Sequence, residues 1–108
     1  MPVNHLVLFQ FKDDASAEQV DEKAVAQMLA LKEACLHPAT QKPYIRSLTG
    51  GKDNSTEGRQ DGIQYAFVVE FESVEDREFY AHKDPAHLNF VANALTNIAK
   101  AIVVDYSF

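Results

Sequence analysis

Val3–Phe11 reads VNHLVLFQF. Side chains alternate across a β-strand, so Val3, His5, Val7, Phe9 and Phe11 share one face and Asn4, Leu6, Leu8 and Gln10 the other. Apolar residues stand on both faces, and a strand of this kind must be covered twice. Ile63–Glu72, IQYAFVVEFE, repeats the pattern more cleanly. Ile63, Tyr65, Phe67, Val69 and Phe71 form one face that reads as core, while Ala66 and Val68 put apolar groups among the polar residues of the other.

Between these strands, Lys12-Asp13-Asp14-Ala15 is a polar break, and Ser16 with Gln19 three residues on forms a capping box that starts a helix. Val20, Ala24, Met28, Leu31 and Cys35 recur at helical spacing and predict one buried stripe, and Pro38 forbids continuation beyond His37. Tyr44–Thr49 has strand character, with Gly50-Gly51 read as the turn that opens a polar loop. Ser73 with Asp76 caps a short helix running to about Tyr80. Asp84 and Pro85 suit the cap and first position of a third helix, whose apolar stripe is predicted as Leu88, Val91, Leu95 and Ile98. Ala101–Phe108, AIVVDYSF, closes the chain as a strand. The order predicts an α+β fold: a ferredoxin-like βαββαβ plan with a four-stranded antiparallel sheet. Two helical layers cover one sheet face, so a second subunit is the simplest cover for the other, and a homodimer is expected.

The chain has 108 residues, room for a single domain spanning 1–108. A net charge of −6 with no basic patch argues against nucleic-acid binding. The longest apolar run falls short of a membrane span, and no basic, apolar leader is evident at Met1–His5, so a cytoplasmic protein away from membranes is expected. One cysteine excludes an internal disulfide and cysteine-based zinc motifs, and the four histidines form no short-range ligand set. No metal and no cofactor is expected.

His5–Lys12, Val69–Ser73, Tyr80 with Asp84-Pro85-Ala86-His87-Leu88-Asn89-Phe90-Val91, and Val104-Asp105-Tyr106 together resemble the stress-response A/B barrel (Dabb) family over nearly the whole chain. The resemblance implies a dimeric α/β barrel in which two sheets face each other. The family includes a plant cyclase that closes linear polyketides without a cofactor, beside relatives described as stress-responsive proteins. Carried onto this chain, the cyclase resemblance implies catalytic roles for His87, Tyr80 and His5. The match is partial: one extra residue separates Tyr80 from His87, leaving Phe79 as an alternative, and Asp84 and Tyr65 stand where the cyclase has further histidines.

An aldol-type ring closure needs a base for a carbon-bound proton and a donor for the developing enolate. His87 suits the base, Tyr80 a donor or an orienting group, and His5 a pocket-lining residue or second donor. The positive end of the third helix favours neutral His87, while the Asp84 carboxylate opposes it, and the sequence leaves that balance open. Each residue also has a purely structural reading: His87 as a helix-start residue, His5 as a hydrogen-bonded core histidine, Tyr80 as packing. Three functions follow: a cofactor-independent polyketide cyclase acting on a small apolar-tailed ligand; a noncatalytic dimeric stress-response or small-ligand-binding protein; and, by fold-level analogy, a cofactor-free monooxygenase.

Overall fold

The computed structural model describes residues 1–108. Its strands are β1 (Val3–Phe11), β2 (Ile45–Lys52), β3 (Tyr65–Phe71) and β4 (Ile98–Ser107); its α-helices are α1 (Ala26–Ala34), α2 (Val74–His82) and α3 (Pro85–Ala94). The strands form one antiparallel sheet in the order β2-β3-β1-β4, which places the two most apolar strands in the centre. This is the ferredoxin-like arrangement. No helix is long and apolar enough to cross a membrane.

Alternation is sharpest on β1, where Val3, His5, Val7, Phe9 and Phe11 are buried and the residues between them are half-buried. Phe67, Val69 and Phe71 of β3 join them against the helices. The opposite sheet face carries Leu6 beside Val68 and Val104, and Leu8 beside Ala66 and Ile102. Within this single chain Val68, Val104 and Tyr106 of that face remain exposed.

The capping box forms as expected. Gln19 N–H donates to Ser16 Oγ at 3.1 Å, and the Gln19 side chain accepts from Ser16 N–H at 2.8 Å. The first turns, Glu18–Val25, are wound as a π-helix before α1 continues the axis. Ala24, Met28, Leu31 and Cys35 are buried, and Val20 packs against the core. The helix ends at Ala34, with Cys35 already extended, so its side chain turns inward beneath the start of α3.

Three expectations need correction. Gly50 and Gly51 are strand residues of β2, because Gly50 lies so close to the Phe67 ring and the Ala66 carbonyl that only a hydrogen fits there. On α3 the buried residues are Phe90 and Ala94, with Leu88 and Leu95 exposed. The stripe is rotated because His87 and Phe90, rather than Leu88, face the sheet. β4 begins at Ile98 rather than Ala101, since a short 3₁₀ turn over Leu95–Asn97 ends the helix early.

Candidate active site

The alternation of β1 points His5 into the space between the sheet and α2 and α3. Opposite it in register stands Asp105 of β4, and His5 Nδ1 is 2.8 Å from Asp105 Oδ1. The second carboxylate oxygen accepts from the Arg77 guanidinium of α2 at 2.8 Å, and Arg77 Nε donates to Glu78 at 2.9 Å. The Asp105 carboxylate only accepts, so the His5 Nδ1–H donates to it and Nε2 is left outside this bond. The Asp105 and Glu78 carboxylates raise the Arg77 pKa, so it remains a fixed cation.

His87 is presented by the α2–α3 junction. Asp84 caps α3, accepting Ala86 N–H at 2.9 Å, and takes the Tyr44 hydroxyl at 2.6 Å. Only 1% of Asp84 is exposed, so these bonds hold a carboxylate inside the protein. His87 is the third residue of the helix that follows. Its ring stacks on Tyr80 with centroids 4.0 Å apart, and the other side of the junction brings Tyr80 edge-on to His5 at 5.6 Å. Tyr80 is thus a partition between the two imidazoles. Phe79 turns away to pack against Tyr44, so of these two neighbours Tyr80 is the one that lines the cavity.

Burial lowers the His87 pKa, and nearby His5 and His82 add to the effect; the Tyr80 carbonyl and Asp84 oppose it. The carbonyl makes no hydrogen bond of good geometry, and Nδ1 is buried without a partner. The balance left open by the sequence falls to the neutral imidazole, chiefly through desolvation rather than the helix end. Burial likewise pushes Tyr80, Tyr44 and Cys35 up, with Asp84 raising all three. None of these phenols or the thiol is a base at neutral pH.

His5, Tyr80 and His87 share one cavity of about 280 Å³. Apart from the two histidines its fourteen lining residues are apolar or aromatic, including Val7 and Phe9 of β1, Met28 of α1, and Phe90 and Val91 of α3. Leu95 and Val103 line it yet are more than half exposed, so the cavity opens between the end of α3 and β4. This is an apolar chamber whose polar groups are those of His5, Tyr80 and His87, a common form for small-molecule sites. No group of three or more His, Cys, Asp or Glu side chains could hold a metal ion.

The remaining candidates lie elsewhere. His37 Nδ1 accepts Ala39 N–H in the loop after α1, and exposed His82 ends α2 beside Glu78. Tyr65 donates to Asp21 at 2.6 Å and is pushed up to about 12, first by that bond. Neither Asp105, quoted only within the Val104-Asp105-Tyr106 segment of the resemblance, nor Arg77 is given a site role by the sequence. Asp105 had a signal, since it shares a face with Val103 on a strand able to pair with β1; Arg77, in a charged helix, had none.

The stress responsive A/B barrel domain family model matches residues 3–108. The stress-response A/B barrel domain-containing protein HS1 of Arabidopsis thaliana is 34% identical over 108 residues, covering 97% of this chain and 88% of that protein. Olivetolic acid cyclase of Cannabis sativa is 26% identical over 110 residues, covering 99% and 97%. Among solved structures, hydroxynitrile lyase from Passiflora edulis superimposes with a TM-score of 0.82 at 25% identity, over 97% of this chain and 91% of that one. A dimeric protein of unknown function and ferredoxin-like fold from Bacteroides fragilis gives 0.66 at 28% identity, over 99% and 96%. The chain belongs to the stress responsive A/B barrel domain family.

Proposed function

We propose that this protein is a homodimeric, cofactor-independent enzyme that promotes aldol-type ring closure of a small linear polyketide. The observation that carries the reading is the placement of His5 and His87 on one apolar cavity, in two different electrostatic settings. Similarity to olivetolic acid cyclase and to hydroxynitrile lyase supports it, because both names denote chemistry on small organic molecules.

The geometry favours an exchange of the roles expected from the sequence. His5 donates its Nδ1–H in a hydrogen bond to Asp105, so Nε2 is the acceptor for a proton on carbon between two carbonyls. Asp105 then stabilises the imidazolium so formed, as a carboxylate does in a serine-protease triad. His87, kept neutral by burial, donates a ring N–H to the carbonyl oxygen on which enolate charge grows. Tyr80 fixes the spacing of the two rings. The enolate carbon attacks a second carbonyl of the same chain, and the proton held by His5 passes to the new alkoxide. No proton or electron is left over, and no oxidant is needed.

Assembly follows from the uncovered sheet face. Leu6, Leu8, Val68, Val104 and Tyr106 form an apolar surface that a second copy would cover, and the ferredoxin-like protein from Bacteroides fragilis is described as dimeric. The one cysteine, Cys35, is free and buried, which suits a reducing cytoplasmic compartment. The test is direct. Purified protein supplied with linear polyketide esters should yield ring products by mass spectrometry, and His5→Ala and His87→Ala should each lower the rate by roughly 10²–10⁴. Turnover unchanged by both substitutions would overturn the mechanism. Binding of the same compounds without turnover would favour noncatalytic ligand binding in the same apolar chamber.

A further inference from the structure

We infer that Arg77, which lies outside the cavity wall, is a positioning residue: through Asp105 it decides which imidazole nitrogen of His5 faces the cavity. The inference rests on reading His5 as the base of the proposed reaction. The His5 ring lies edge-on to Phe71 at 6.2 Å and to Tyr80 at 5.6 Å. Such contacts fix the plane of the ring but not its direction, because an imidazole turned half a rotation about its Cβ–Cγ bond fills nearly the same space. The 2.8 Å bond from Nδ1 to Asp105 Oδ1 breaks that tie.

Asp105 does not hold this bond alone. It stands on β4, an edge strand, with its side chain 20% exposed, so water competes for the carboxylate. Arg77 supplies the second hold, donating from Nη1 to Asp105 Oδ2 at 2.8 Å while the other oxygen faces His5. Glu78 accepts from Arg77 Nε at 2.9 Å and steadies the guanidinium plane. Arg77 and Tyr80 lie three residues apart on α2 and so share a face. One helix therefore sets the plane of the His5 ring through Tyr80 and its direction through Arg77. The other three histidines have no such hold: His37 Nδ1 accepts from the backbone, His82 is exposed, and His87 Nδ1 has no partner.

The experiment is NMR of the whole protein labelled with ¹⁵N-histidine, without any ligand. The His5 Nδ1–H should give a resolved, slowly exchanging signal, identified by its loss in His5→Ala. Arg77→Met keeps the apolar stem and removes the guanidinium, so exchange of that proton with water should become at least about tenfold faster. Arg77→Gln serves if the methionine variant does not fold. In the cyclisation assay Arg77→Met should lower kcat by about 10–100-fold and leave KM within about threefold, since Arg77 does not line the cavity. In protein already carrying Asp105→Ala, the same substitution should cost less than about twofold. A wild type without the signal, or a folded Arg77 variant that exchanges as slowly as the wild type, would overturn the inference. So would full additivity of the two substitutions in kcat. The NMR signal needs no substrate, so failure of the cyclisation assay leaves the positioning role standing and the two readings fail separately.

Discussion

Replacing Asp84 should reveal how much of the fold's stability is concentrated under the candidate site. Its carboxylate caps α3 at Ala86 N–H and accepts the Tyr44 hydroxyl at 2.6 Å, with only 1% of the residue exposed. Asp84→Ala removes an N-cap, a loss of typically about 1 kcal/mol. It also strands the Tyr44 hydroxyl in a core position, at about 1–3 kcal/mol. Relief of the buried charge offsets part of this. The net expectation is a destabilisation of roughly 1–3 kcal/mol, a sizeable fraction of a small domain's stability. Asp84→Asn keeps an acceptor for Ala86 N–H and can donate its amide N–H to the Tyr44 oxygen, so it should cost clearly less. Tyr44→Phe removes the same hydroxyl contact from the other side, so the double variant should be milder than the sum by about 0.5–3 kcal/mol. Urea unfolding at fixed protomer concentration measures each value, since association shifts apparent stability. A cost below about 1 kcal/mol for Asp84→Ala at unchanged m, or strict additivity in the cycle, would refute the reasoning.

Acid should weaken the fold through His87. Its folded pKa lies below the ordinary 6.5, so the unfolded chain takes the proton first, and the contribution present above pH 6.5 is lost as pH falls toward the folded value. Unfolding curves between pH 7.5 and 5 should show this, and His87→Gln should flatten that part of the profile. Alkali acts through Tyr44, Tyr80 and Tyr65, whose folded pKa values are all raised above 10; stability complete below pH 10 should decline above it as the unfolded phenols ionise. Tyrosinate absorbance of Tyr44 and Tyr80 should then appear together with the loss of structure. Val104→Asp places a charge on the uncovered sheet face and should halve the solution mass seen by light scattering, whereas an unchanged mass would remove that face from the interface. Gly50→Ala drives a methyl group into Phe67 and the Ala66 backbone and should cost about 1–3 kcal/mol in a melt.

The topology and most element starts were legible because they depend on local rules: period-two alternation in β1 and β3, the Ser16 and Ser73 caps, Pro85 after Asp84. Errors fell where a tertiary contact overrides a local signal. Gly-Gly reads as a turn, but Phe67 lying across β2 requires a glycine in mid-strand. Leu88 and Leu95 outrank Phe90 and Ala94 only if the stripe is judged by residue type, and helix phase is set by what the sheet offers. At the site, convergence of His5, Tyr80 and His87 followed from the resemblance. The network behind them did not, because bonds such as Tyr44–Asp84, forty residues apart, and Arg77–Asp105 have no sequence period.

The same alternation ties the cavity to the uncovered face. On β1, His5 points inward and Leu6 and Leu8 outward; on β4, Asp105 points inward and Val104 and Tyr106 outward. A one-residue slip of either strand would exchange the sets, placing a histidine or a carboxylate on the apolar outer face and breaking the 2.8 Å His5–Asp105 bond. Register is therefore under two constraints at once. The shift in the β1–β4 ladder falls at Gln10/Phe11, at the far end of the strand from His5, so the pairing around the site stays regular. The β1–β3 ladder runs unbroken from Val3↔Phe71 to Phe9↔Tyr65, which pins the other side of β1. A strand held this way cannot adjust its inner face without disturbing the outer one. Substitutions that loosen the outer face should consequently be felt in the cavity first at His5, whose bond to Asp105 depends directly on the register of the two strands.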